Sequence, residues 1–142
     1  MAQSKQKGTK AENRLRDKAK IRRSKRDGVY RVFLLDTGGC VGEFVMPCDN
    51  QIVLDVKTMM NITEQLVDRW LSNKGGSSNV ENPESSFYEI EFRQVDISEY
   101  WLYLPNGIME GRICTPQDFN YSKDIAVIKE ICKQLAYRFG LK

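Results

Sequence analysis

The first 27 residues concentrate the side chains best able to bind a polyanion. They carry eleven Lys or Arg and three acidic residues, a net charge of +8, whereas residues 28–142 carry eleven basic and sixteen acidic residues, a net charge of −5. Such a basic segment can contact several phosphates and release their counterions, and this binding depends little on base sequence. The candidate phosphate contacts are Lys10, Arg14, Arg16, Lys18, Lys20, Arg22, Arg23, Lys25 and Arg26. A nuclear localisation patch within residues 20–26 and a solvated tail are the alternative interpretations.

Two aromatic residues of a predicted strand could stack nucleic-acid bases. Trp101 and Tyr103 lie on one side of this strand, and Tyr100, Leu102 and Leu104 lie on the other. An exposed ring on a sheet contributes about 1–3 kcal/mol for each stacked base. A strand that is apolar on both sides is often covered, so burial of both rings in the core is the interpretation that we favour.

Charged residues near this strand would act on a bound phosphate in opposite directions. Arg93 and Arg112 could extend the aromatic face, whereas Glu89 and Glu91 would repel phosphate from it. The body of the protein therefore offers at most a local binding patch, since its net charge is negative.

One acidic residue lies in a segment with an enzyme-like pattern. Residues 33–38, FLLDTG, resemble the signature of aspartic proteases, in which two apolar residues precede Asp-Thr-Gly. This resemblance implies a homodimer in which Asp36 of each chain shares a proton with its counterpart and activates water. Asp and Gly also suit a tight hairpin turn, and this is the interpretation that we favour.

A second acidic group resembles a nuclease pattern. Asp49, together with Asp55 and Lys57 at the end of a predicted strand, resembles the Asp and Asp/Glu-x-Lys pattern of restriction-type nucleases. The resemblance implies that the carboxylates hold Mg²⁺ and that Lys57 assists the attacking water. We favour solvated strand positions for these residues and expect no enzymatic activity.

Histidine is absent, which excludes His-dependent catalytic triads and His-bearing zinc sites. The four cysteines, Cys40, Cys48, Cys114 and Cys132, include no Cys-x-x-Cys pair. We therefore expect no metal site, no cofactor and, in a reducing compartment, no disulfide bond. The chain shows no apolar run of membrane-spanning length and no signal-peptide pattern, so we expect neither membrane association nor secretion.

Hydrophobic periodicity predicts an α+β fold. Alternating residues predict strands over residues 29–35, 40–46, 51–57, 88–93, 99–104 and 108–114, and helical spacing predicts helices over residues 61–71 and 122–139, with Ser122 as N-cap. The predicted organisation is a basic, disordered N-terminal arm (residues 1–27) and a compact antiparallel-sheet domain (residues 28–142). This domain consists of two βββα halves, residues 28–73 and 87–142, joined by a flexible loop over residues 74–86.

The sequence shows no clear internal repeat. Two tandem strand-rich units, each closed by a helix, resemble in architecture the Pur-alpha and Whirly class of single-strand-binding proteins, whose units carry four strands.

We expect a non-catalytic nucleic-acid-binding or ribonucleoprotein-associated protein, whose cationic arm contacts the phosphates of RNA or DNA and whose acidic body contacts a protein partner. The alternative is a small adaptor or inhibitor that acts through the acidic body, for instance by imitating nucleic acid. An enzyme based on Asp36, or on Asp49, Asp55 and Lys57, ranks third. We expect an intracellular protein, cytoplasmic or, in a eukaryote, nuclear.

Overall fold

A computed structural model describes residues 18–24, 28–35, 39–71 and 86–141. It contains seven strands, β1 (Ala19–Arg23), β2 (Val29–Leu34), β3 (Cys40–Val45), β4 (Ser86–Phe87), β5 (Ile90–Asp96), β6 (Glu99–Tyr103) and β7 (Met109–Cys114). Its two helices are α1 (Ile52–Leu71) and α2 (Tyr121–Phe139). Among these residues, no helix is both long and apolar enough to cross a lipid bilayer.

All seven strands form one antiparallel sheet. Its strand order is β1-β2-β3-β7-β6-β5-β4, so the N-terminal unit (β1–β3 and α1) meets the C-terminal unit (β4–β7 and α2) at the β3–β7 pair. The α+β class with an antiparallel sheet is therefore confirmed. The prediction of two βββα halves is not, because the short β4 gives the C-terminal unit four strands.

The two helices pack together on one face of the sheet, which we call the inner face. Alternate strand residues point to this face, and they form one core with the buried faces of both helices. Tyr30, Phe44, Gly111, Leu102 and Phe92 lie opposite one another in a single inner row across five strands. The intervening residues, Trp101 and Tyr103 among them, therefore point to the opposite face, which we call the outer face.

Residues 51–57 were predicted as a third strand, but residues 52–57 are in fact the start of α1. The prediction is wrong because the β-branched and apolar run in this segment favours a strand locally. Buried positions Asp55, Thr58, Met59 and Ile62 follow helical spacing, and Asp55 makes tertiary contacts that only a helix provides. Tertiary contacts thus outweigh local propensity, and Val53 stays 80% exposed.

The sheet begins at Ala19, within residues 1–27 that were predicted as the arm. Ile21 packs against the core while Lys20 and Arg22 point outwards, and β1 gains its stability by pairing with β2. The N-cap of α2 is Asn120 rather than Ser122, since the Asn120 side chain accepts a hydrogen bond from the backbone N–H of Lys123. The predicted flexible loop lies outside the described residues except for Ser86, which begins β4.

A buried ionic cluster links the end of α1 to the start of α2. The Arg69 guanidinium donates to Asp124 Oδ1 at 2.8 Å and, through both terminal nitrogens, to Asp118 at 2.6 and 3.2 Å. Asp124 also accepts hydrogen bonds from the hydroxyls of Tyr100 at 2.8 Å and Thr115 at 3.0 Å. Burial, together with the Asp124 carboxylate, raises the pKa of Tyr100 far above its usual range, so Tyr100 remains a donor.

An equivalent cluster links the end of α2 to the start of α1. The Arg138 guanidinium donates to Asp55 Oδ1 at 2.7 Å and to both oxygens of Asp49 at 2.6 and 3.1 Å. The hydroxyl of Tyr30 donates to the other oxygen of Asp55 at 3.0 Å. Because each arginine at the C-terminal end of one helix reaches the N-terminal end of the other, the helices run antiparallel and each unit completes the other's cluster.

The two clusters belong to an internal repeat, so the expectation of no clear repeat in the sequence is wrong. Gly42, Pro47, Asp49, Asp55 and Arg69 recur 69 residues later as Gly111, Pro116, Asp118, Asp124 and Arg138. The backbone repeats as well, since Asn50 and Phe119 have φ values of 62° and 57° and the preceding aspartates each accept the second following N–H at 3.1 Å. An approximate two-fold axis thus passes between Glu43 of β3 and Arg112 of β7, which lie opposite each other.

Removing one arginine from a cluster should destabilise the whole domain. We predict that Arg69→Met lowers the free energy of unfolding by about 3–5 kcal/mol, because it leaves the buried Asp124 without its counter-charge. The side chain of Arg31 is 47% exposed, so the control Arg31→Met should cost no more than about 1 kcal/mol. Urea unfolding followed by circular dichroism measures both, and equal losses in the two variants would contradict a special role for the cluster.

The clusters also predict a dependence of stability on acid. Hydrogen bonds from Arg138 and Arg69 lower the pKa values of Asp49 and Asp118 below their usual range. Their contribution to stability is therefore complete above the unfolded-state pKa, near pH 4, and is lost as the pH falls through the lower folded-state pKa.

Thermal unfolding between pH 7 and pH 2 measures this effect. An Asp49→Asn/Asp118→Asn variant should melt at a lower temperature than the unsubstituted protein at pH 7, and its melting temperature should fall less between pH 4 and pH 2. Melting curves that fall in parallel across this range would show that these two carboxylates do not carry the effect.

Candidate functional site

The outer face of the sheet carries a row of charged residues that neither helix covers. Six strands place their outward residues opposite one another in the order Arg22, Arg31, Glu43, Arg112, Trp101 and Arg93, which we call the central row. Adjacent strands are about 4.8 Å apart, so the row extends over about 24 Å. With four arginines and one glutamate, its net charge is +3.

Glu43 lies near the middle of the central row and binds the arginines on both sides. Its Oε1 accepts from Arg112 at 2.6 Å, and its Oε2 accepts from the Arg31 Nε at 3.0 Å. The side chains of Arg31 and Arg112 are nevertheless 47% and 41% exposed, while Glu43 is 22% exposed. The two guanidinium groups therefore remain open to a ligand from solvent.

Two aromatic rings flank the central row at equivalent positions of the two units. The Arg22 guanidinium lies 5.6 Å from the centre of the Phe33 ring, and the Arg93 guanidinium lies 4.5 Å from the centre of the Tyr103 ring. Each pair combines a positive charge with a flat apolar surface, a combination that suits both phosphate and base.

Trp101 lies within the row itself. Its indole N–H donates to Glu99 at 2.8 Å, which fixes the ring orientation on the outer face. Trp101 and Tyr103 are partly exposed, whereas Tyr100 and Leu102 are 2% and 0% exposed. The predicted alternation of this strand is thus confirmed, but the favoured expectation that Trp101 and Tyr103 are buried in the core is wrong, because both rings face outwards.

The described basic residues of the predicted arm divide between the two faces. Lys20 and Arg22 lie on the outer face beside Phe33, and a shallow depression of about 370 Å³ is lined by these three residues with Leu34 and Leu35. Arg23 lies on the inner side, 5.9 Å from the ring of Tyr30. Lys18 is exposed immediately before β1. The other candidate contacts, Lys10, Arg14, Arg16, Lys25 and Arg26, lie outside the described residues.

The residues of the nuclease-like pattern do not form the arrangement that the pattern requires. Asp55 and Lys57 lie in the first turns of α1 rather than at the end of a strand. Asp49 and Asp55 are bound by Arg138, and Lys57 is exposed. Asp36, the protease-like residue, lies outside the described residues.

Acidic and thiol side chains do not gather into a metal-binding group in the part of the chain that the structure describes. Among the cysteines, Cys40 and Cys48 are exposed, Cys114 is partly buried and Cys132 is buried, and all four are free thiols. Burial in the core raises the pKa of Cys132 to about 12, which keeps that thiol protonated.

Several residues of the outer face were not predicted from the sequence. Arg31 and Phe33 alternate with the buried Tyr30, Val32 and Leu34, and this alternation could have placed them beside Trp101 and Tyr103. Glu43 had no such signal, because its role depends on the pairing of β3 with β7 across 69 residues of sequence.

Comparison with known protein families, curated proteins and solved structures finds no match to this chain. The architectural resemblance to single-strand-binding proteins therefore rests on the order of elements alone.

Proposed function

We propose that the protein binds nucleic acid on the outer face of its sheet and with its basic N-terminal segment, without catalysing a reaction. The observation that carries this proposal is the central row, in which four arginines and a tryptophan share a face that both helices leave uncovered. Phosphates are the ligands that an array of guanidinium groups binds best, because each guanidinium can donate two parallel hydrogen bonds.

The distribution of charge also supports the outer face as the nucleic-acid-binding surface. Residues 28–142 have a net charge of −5, yet the four charged residues that they contribute to the central row sum to +2, and Arg22 and Lys20 of β1 add two more positive charges. Acidic Glu91, Asp96 and Glu99 lie on β5 and β6, so the phosphate backbone is expected to approach from the side of β1 to β3.

The N-terminal segment also supports the proposal of nucleic-acid binding at the outer face. Residues 1–17 carry five basic and two acidic side chains, and the described chain starts next to the exposed edge of β1. Because residue 17 is bonded to Lys18, the segment joins the sheet at β1, close to Lys20 and Arg22, and its cations would extend the phosphate contacts of the sheet.

A second candidate function is that of a protein-binding adaptor, and one observation favours it. Val53 and Tyr137 are 80% and 74% exposed, and the Arg138 cluster brings the start of α1 and the end of α2 together. Large apolar side chains that stay exposed at neighbouring helix ends are typical of protein contacts. This surface belongs to the helical layer, so it is separate from the outer face.

Fluorescence-anisotropy titrations test the role of the rings. We predict that Trp101→Ala weakens binding to single-stranded RNA or DNA about tenfold, since each base–ring stack contributes about 1–3 kcal/mol. The matched control Tyr137→Ala, on the helical layer, should bind as the unsubstituted protein does.

The same titrations at several salt concentrations test the basic segment. A Lys10→Gln/Arg14→Gln/Arg16→Gln variant should reduce the slope of log affinity against log salt by about 2, because each lost phosphate contact removes about 0.7 for single strands. If the unsubstituted protein binds neither single nor double strands at low salt, the proposal is wrong and the adaptor function takes precedence.

A further inference from the structure

The central row contains one anionic side chain, Glu43. The position of Glu43 between two arginines indicates how the outer face selects a ligand. Glu43 bridges Arg31 and Arg112 at the seam between the two units. We propose that Glu43 occupies the site of a phosphate, and that a single-stranded nucleic acid binds by displacing the Glu43 carboxylate from these two arginines. This inference rests on the proposed function and adds to it the class of ligand and the residue that limits affinity.

A carboxylate and a phosphate compete for the same donors. Both present oxygen acceptors with the spacing of a guanidinium fork, but phosphate offers more oxygens and, in nucleic acid, a chain of neighbouring charges. Glu43 holds the two arginines at 2.6 and 2.9 Å and remains partly exposed, so its side chain can swing away by rotation about its own bonds. The arginines are thus aligned before a ligand arrives.

The approximate two-fold symmetry relates Glu43, the acidic residue of the central row, to an arginine. The position equivalent to Glu43 is Arg112, 69 residues later, and the other charged pair related by the axis, Arg22 and Arg93, is positive at both ends. The C-terminal unit therefore shows that an arginine fits this backbone position. A glutamate in the N-terminal unit lowers the charge of the row where the two units meet.

The positions of Phe33 and Tyr103 place an extended nucleic-acid strand over the Glu43–Arg112 pair. Phe33 and Tyr103 are equivalent under the two-fold axis, so the midpoint between them lies at the Glu43–Arg112 pair. They are three strands apart across the sheet and four residues apart along it, a diagonal of about 20 Å. On the direct path between them, a ligand whose unpaired bases stack against both ring–arginine pairs passes over Glu43. A duplex keeps its bases paired, so it cannot make both stacks.

Anisotropy titration of the full-length protein with a fluorescent single-stranded oligonucleotide of mixed sequence, at several salt concentrations, tests the inference. Glu43→Gln keeps the shape of the side chain but removes its charge, and because Glu43 is partly exposed its ion pairs contribute little to stability. We expect this variant to bind about fivefold more tightly or better, because no carboxylate has to be displaced from Arg31 and Arg112 before they bind phosphate.

The matched control is Glu91→Gln. Glu91 also lies on the outer face and contacts an arginine, Arg93, but at 3.4 Å and with 49% of its side chain exposed. Its substitution changes the net charge by the same amount, and we expect less than a twofold change in affinity. Duplex DNA of the same length, as a second ligand, should gain less from Glu43→Gln than the single strand does.

The outcomes separate this inference from the proposed function. Equal gains in the two variants would show that net charge alone matters, and weaker binding by Glu43→Gln would show that Glu43 positions the arginines for the ligand. Either result would contradict the proposed displacement of Glu43 without contradicting the proposal that the protein binds nucleic acid. If the unsubstituted protein and both variants fail to bind the single strand, both proposals are wrong.

Discussion

Two buried arginines, each at the end of one helix and each bound to aspartates of the other unit, determine how this protein is assembled. Neither Arg69 nor Arg138 finds its carboxylates within its own unit, so the charges are neutralised only when both helices lie antiparallel on the same sheet. Breaking a buried pair leaves an uncompensated charge, which is among the costliest changes that a domain can suffer. The clusters therefore fix the relation of the two units more strictly than apolar packing alone would.

Among the described residues, this assembly leaves one face of the sheet without a helix over it. Both helices use the inner face, and the close approach of Gly42 and Gly111 to the Phe44 ring permits the tight packing there. The alternate residues of the same strands must then face away from the core. The strand order brings six of them into one row, so the distribution of arginines, aromatic rings and Glu43 on the outer face follows from the β3–β7 pairing that joins the units.

Local patterns predicted the elements whose periodicity is complete in sequence. Strands β2, β3, β6 and β7 and helix α2 follow their alternating or helical spacing, and Gly140 ends α2 in the left-handed conformation as its type suggests. Residues 51–57 were predicted wrongly because Asp55 gains its partners, Tyr30 and Arg138, from distant parts of the chain. The Asp-x5-Asp-x13-Arg repeat is present in the sequence, but few residues around it are identical between the two copies. Its structural role is therefore seen only in the ionic clusters. Trp101 and Tyr103 could be identified as candidates from the sequence. The role of Glu43 could not, because it depends on the pairing of β3 with β7, which are far apart in the sequence.

The central claim is that the outer face, rather than the helical layer, binds nucleic acid. Heteronuclear NMR of the ¹⁵N-labelled protein during titration with a single-stranded oligonucleotide tests it most directly, because indole and guanidinium N–H groups report on individual side chains. The account predicts that the signals of Trp101 and of Arg22, Arg31 and Arg112 shift, while those of Asn61 and Gln134, which contact each other between the helices, remain unchanged. Shifts confined to the helical layer, with the signals of the outer face unmoved, would contradict it.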